Sequence, residues 1–129
     1  MTDLLVRLYD LPDPGVPMAS LAQKGIDVRR AMACEKRPVV DWVRKQFGDG
    51  WAGECEVAFA RQPVACVVAV RDRRLLGFAC HDSTCANFFG PIGIEAACRH
   101  KGIGRAVLLT TLNAMAQCGY AYAIIGAAG

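Results

Sequence analysis

Two hydrophobic periods alternate along the chain, and the switches between them mark out its elements. Residues 4–9 form a short apolar run, closed by the turn-forming stretch LPDPGVP. MASLAQKG, residues 18–25, predicts two helical turns ended by Gly25, and IDVRRAM, residues 26–32, alternates as a strand. Val39, Val40, Val43 and Phe47 then recur at helical spacing, with Pro38 in the first turn and Gly48 just past the end. GDGWAGE predicts a loop, and CEVAFAR, residues 55–61, a further strand. PVACVVAVR, residues 63–71, is apolar at almost every position, which predicts a central strand buried on both faces. A short turn at Asp72 and Arg73 returns RLLGFACHD as its partner. FFGPIGIE, residues 88–95, predicts a strand that bulges or splays at Gly90 and Pro91. A helix follows from about Ile103 to Cys118, with Val107, Leu108, Leu112 and Met115 as its buried stripe and Gly119 as its stop. YAYAIIG is the last predicted strand.

This order predicts an α+β layered fold: a mixed, mostly antiparallel sheet flanked by helices, with one strand–helix–strand crossover near the end. A chain of 129 residues suits a single domain spanning 1–129, with 1–25 as an N-terminal extension and 26–129 as the core. Its 53% hydrophobic and 21% charged residues are enough for a packed core and exclude a disordered chain. No apolar run reaches the ~18 residues of a membrane span, and the acidic start MTDLLVRLYD lacks a basic-then-apolar leader. A soluble cytoplasmic protein is expected, with no membrane partner. The net charge of +3 allows an anionic ligand without pointing to nucleic acid. The seven cysteines are odd in number and show no C-x-x-C spacing, so they read as reduced, buried small hydrophobes. Cys80, His81 and Cys85 lie close in sequence, but no second clustered pair accompanies them, and no metal site is expected.

The stretch with chemistry in it is RHKGIGR, residues 99–105, between an apolar strand and a helix. The first amides of a helix have no partner within it, and the helix dipole favours negative charge there. Gly102 and Gly104 would let an anion approach the backbone, and Arg99, His100, Lys101 and Arg105 add actual or potential positive charge. The competing reading is a plain tight turn. A dinucleotide fingerprint is excluded because Val107 stands at its third glycine, and a P-loop because no G-K-[ST] follows.

R-x-x-G-x-G after an apolar strand and opening a helix resembles the signature of the GNAT superfamily of N-acetyltransferases. The resemblance covers residues 26–129, and GPIGIEAACRHKGIGRAVLLTTLNAM matches that family's central strand, pyrophosphate loop and helix. It implies a GNAT-like sheet and acetyl-CoA as cosubstrate. The backbone amides of His100, Lys101, Gly102, Ile103, Gly104 and Arg105, with Arg99 beside them, would hold the pyrophosphate. The backbones of Ile92 and Ile94 would pair with the pantetheine arm like an added strand. It also implies a helix and two more strands after YAYAIIG. That helix commonly carries a tyrosine acting as acid toward the thiolate, a position that Tyr120 and Tyr122 do not match. An apolar last strand with a bare edge predicts a homo-oligomer that covers it.

The implied reaction is direct attack of a primary amine, on a small molecule or a peptide, upon the thioester. It needs a base for the amine, a donor for the oxyanion and a proton for the leaving thiolate. His81, Asp82 and Glu54 are the expected catalytic residues, with Glu56 and Glu95 as further carboxylates beside the sheet. Trp42, Trp51, Phe88 and Phe89 read as core or wall. The alternatives are a non-catalytic coenzyme A-binding or assembly module, and a binder of another phosphorylated ligand.

Overall fold

The structure is a computed structural model, and it describes residues 2–128. These form six strands, β1 (Thr2–Arg7), β2 (Asp27–Arg30), β3 (Cys66–Arg71), β4 (Arg74–His81), β5 (Phe88–Ile94) and β6 (Tyr122–Ala128). They also form four α-helices, α1 (Gly15–Ala22), α2 (Lys36–Phe47), α3 (Asp49–Phe59) and α4 (Ile103–Gln117). The strands make one sheet in the order β1-β6-β5-β4-β3-β2. Every neighbouring pair is antiparallel except β5 and β6, which are parallel and joined by α4. This is the expected α+β layered fold with one crossover.

The sheet is apolar on both faces because helices cover both. Val67, Ala69 and Ala79 face a cluster built on Leu21 of α1 and on Ile103, Ala106, Val107, Leu112 and Met115 of α4. Cys66, Val68, Phe78 and Cys80 face the opposite cluster, supplied by Val39, Val40 and Val43 of α2 and by Ala52, Cys55, Ala58 and Phe59 of α3. Adjacent residues of β3 thus alternate between two dry layers, and the segment shows no polar face. The β3–β4 turn places both Asp72 (φ 51) and Arg73 (φ 64) in the left-handed region, as a two-residue hairpin requires.

Four expectations are corrected. CEVAFAR is not a strand, and GDGWAGE is not a loop: both lie largely within α3. The apolar positions Cys55, Val57 and Phe59 imitate a two-residue period, but the buried set is Ala52, Cys55, Ala58 and Phe59, the inner stripe of a helix. Gly48 at φ 103 ends α2 and leads directly into α3. The proline-rich stretch, expected to be a turn throughout, already enters α1 at Gly15, with Pro17 tolerated in the first turn. Lastly, the outer edge of β6 is not bare: β1 pairs antiparallel along it, from Arg7 opposite Tyr122 to Thr2 opposite Ala128. β1 thereby becomes the outer strand, with Leu4 and Leu5 exposed.

One close approach fixes the distance between α2 and the sheet. A Cβ on Gly93 of β5 would lie 2.5 Å from Cζ of Phe47 and within 2.9 Å of two further ring atoms. That ring is wedged among Trp42, Trp51 and Phe78 at centroid distances of 5.2–5.7 Å. We expect Gly93→Ala to lower the stability of the fold by about 2 kcal/mol. Gly53→Ala, where nothing lies within 4 Å, should raise it slightly by improving the helix. Urea midpoints measured on the two variants check both signs.

Candidate active site

β5 and β6 begin as paired neighbours and then part. Phe88 pairs with Ile124 and Phe89 with Ile125, and the pairing ends there. At the next residue, Gly90 adopts φ +121 and its carbonyl accepts a hydrogen bond from Ser83 Oγ at 3.1 Å. Beyond it β5 continues against β4 as far as Ile94, while β6 continues against β1. Glu95 N–H donates to Leu76 O at 2.8 Å, so Glu95 faces β4. Strand alternation then turns the N–H and C=O groups of Ile94 and Ile92 away from β4, toward the parted side. There the Ile94 carbonyl accepts a hydrogen bond from Arg99 Nε at 3.3 Å.

The split strand leads into the RHKGIGR loop. His100 (φ 65) and Gly102 (φ 83) both adopt left-handed conformations, which lift the chain into α4. Gly102 is the N-cap and offers no side chain, and the first turn holds no acidic residue. Ala106 N–H bonds back to Gly102 O at 3.2 Å, so the amides of Ile103, Gly104 and Arg105 precede the first intrahelical bond. Ile103 is buried and anchors this end of the helix, while Arg99, His100, Lys101, Gly102 and Arg105 are exposed. A Cβ on Gly102 would meet nothing within 4 Å, and one on Gly104 only Ile94 Cγ1 at 3.7 Å. Packing therefore does not demand glycine at 104. An anion approaching uncapped amides would be served by it, and the residues present fit a pyrophosphate.

A cleft of about 440 Å³ opens where the strands part, lined by Trp51, Glu54, Thr84, Phe88, Gly90 and Gly126 among others. Trp51 and Glu54 stand three residues apart on one face of α3. Thr84 Oγ1 donates to Glu54 Oε1. Of the expected catalytic residues, Glu54 is thus the one that lines this cleft.

His81 and Asp82 are brought together, but elsewhere. His81 ends β4, 2% exposed, and its Nδ1–H donates to Asp82 Oδ2 at 2.5 Å. Asp82 Oδ1 accepts the backbone N–H of Asn87 and the hydroxyl of Tyr120, both at 2.7 Å. Burial pushes the Asp82 carboxyl up, but the hydrogen bonds from Asn87, His81 and Tyr120 outweigh it and hold the group below the usual carboxylate range. The same bond to a carboxylate raises Tyr120. The pair borders a separate cavity of about 370 Å³, with Arg61, Cys118 and Tyr120. Glu56 and Glu95 are tied to Arg44 (3.5 Å) and Arg74 (2.5 Å) respectively.

Trp51 and Thr84 as cleft residues, and Tyr120 as a partner of Asp82, were not found from the sequence. A helical reading of residues 49–59 would have put Trp51 beside Glu54. Nothing in sequence spacing links Tyr120 to a residue 38 positions away.

No family model and no curated protein matches the chain. Solved structures do resemble it. A GCN5-related glucosamine N-acetyltransferase region of a fungal multi-domain GH3 β-N-acetylglucosaminidase is 15% identical over 96% of this chain, with a TM-score of 0.75. A GCN5-related N-acetyltransferase from Sphaerobacter thermophilus is 18% identical over 95%, at 0.66. A putative acetyltransferase from Pyrococcus horikoshii is 20% identical over 73%, at 0.56. The chain spans only 17%, 40% and 36% of the lengths of those three chains respectively.

Proposed function

Starting from a chain that has the GCN5-related N-acetyltransferase (GNAT) fold, we propose that it binds acetyl-CoA and transfers the acetyl group to a primary amine. The observation that carries this reading is the continuity of a parted strand, a glycine-bearing basic loop and an uncapped helix start. The amides of Ile103, Gly104 and Arg105 hold the pyrophosphate, and Arg99, Lys101 and Arg105 supply charge around it. The Ile92 and Ile94 backbone groups turned into the parted side take the pantetheine arm. Arg99 exchanges the Ile94 carbonyl for phosphate oxygen as the arm enters.

The acyl group then lies at the apex beside Gly90, and the amine enters from the cleft of Trp51 and Phe88. Glu54 takes the proton that the amine must lose to attack. A new C–N bond forms, the C–S bond breaks, and the coenzyme leaves as a thiolate that takes a proton from water. A backbone N–H of the parted strand near Ile92 faces the developing oxyanion. His81 and Asp82 hold the β4 end and the start of β5 in place, and the proton transfer is assigned to Glu54.

Calorimetric titration with acetyl-CoA, with ATP as control, tests binding; thiol release in the presence of a panel of amines tests turnover. Selective binding and amine-dependent thiol release are expected, and equal affinity for ATP would overturn the reading. Glu54→Gln should lower kcat about a hundredfold and leave the acetyl-CoA affinity unchanged. A kcat that is also unchanged would remove Glu54 from the mechanism.

A further inference from the structure

We propose that Cys55, Cys66 and Cys80 form a three-sulfur site for a trivalent arsenical, with arsenous acid as the simplest ligand. Cys66 and Cys80 stand directly opposite each other on β3 and β4, and Cys55 comes down onto them from α3. All three are fully buried, and their sulfurs lie within 4.8 Å of one another. An atom at their centre is then no farther than about 2.8 Å from any sulfur, against about 2.3 Å for a metal–thiolate bond. Small side-chain rotations close that gap.

Charge selects the ligand. The cluster lies in an apolar layer with Val68, Phe78, Ala58 and Phe59. A net charge among these apolar neighbours is costly. A monovalent copper or a zinc ion held by three thiolates stays negative, and zinc also seeks a fourth ligand that the cluster does not offer. Trivalent arsenic held by three thiolates is neutral and needs no other ligand. Three As–S bonds form, three As–O bonds break and three waters leave. The three thiol protons leave with the three hydroxyls as water, and nothing is oxidised or reduced.

The test loads the reduced 129-residue chain with arsenite, both in the native state and during refolding from denaturant, because buried thiols must open to react. Cys34, Cys85 and Cys118 are exposed and are replaced by serine in a control. One arsenic per chain retained through gel filtration is expected, with three sulfurs in its X-ray absorption spectrum. The control should retain it equally, and a tenfold excess of zinc should not displace it. Cys55→Ala and Cys80→Ala, made separately in case one fails to fold, should each weaken retention at least tenfold. No retained arsenic, a two-sulfur spectrum, displacement by zinc, or full retention in a folded alanine variant would each overturn the proposal.

Discussion

Gly104→Glu is expected to weaken acetyl-CoA binding about a thousandfold while leaving the fold as stable as before, or slightly more so. The two halves of this result come from the same helix end. A side chain at 104 has room, since its Cβ would make only an ordinary 3.7 Å contact with Ile94 Cγ1. The first turn of α4 has no acidic residue and no side-chain cap, so a carboxylate there meets free amides and the positive end of the dipole. That arrangement favours the folded state by up to about 1 kcal/mol. The same carboxylate, however, occupies the place proposed for the pyrophosphate and repels it. Losing two or three charge-assisted hydrogen bonds at about 1.5–3 kcal/mol each accounts for a thousandfold. Gly104→Ala, which adds bulk without charge, should cost far less. Calorimetry gives the affinities and thermal melts the stability. Unchanged affinity in a folded Gly104→Glu chain would mean that the pyrophosphate is not held at this helix end.

The parts of the molecule that were legible in the sequence are those in which one short stretch carries its own explanation. RHKGIGR holds its glycines, its charges and both flanking elements within a few residues, so the turn into α4 at Ile103 could be read directly. The same holds for Gly90 and Pro91, where a break in the β5 pattern does mark the point of parting. Residues 55–59 were misread because five residues satisfy both periods at once. Only the continuation back to Ala52 separates an inner helical stripe from a strand, and three nearby glycines hid it. The constellations that bring distant residues together left no sequence signal. Cys55, Cys66 and Cys80 meet because α3 lies across β3 and β4, and the contact of Asp82 with Tyr120 depends on α4 returning the chain beside β5. The β1–β6 pairing likewise joins the two ends of the described chain.

Asp82→Ala is expected to destabilise the fold by about 3 kcal/mol, a fall in melting temperature of roughly 10 °C for a chain of this size. The side chain does three jobs at once. It accepts the Asn87 amide that shapes the approach to β5, the Tyr120 hydroxyl that precedes β6, and the His81 Nδ1–H at the end of β4. Removing it leaves three donors, at least one of them deeply buried, without a partner. His81 Nε2 already has no partner, so the ring would lose its only hydrogen-bonded nitrogen. The loss should also depend on pH, in a definite sense. The folded Asp82 carboxyl titrates below its unfolded range near 3.9. Its contribution is therefore fully present above about pH 4 and is lost as pH falls through the lower, folded value. The gap between wild type and variant should narrow as pH falls below 4, as read from urea midpoints along the pH series. A gap that widens toward acid would mean that the carboxyl is protonated in the fold, and that His81 is held by an acid rather than by a carboxylate.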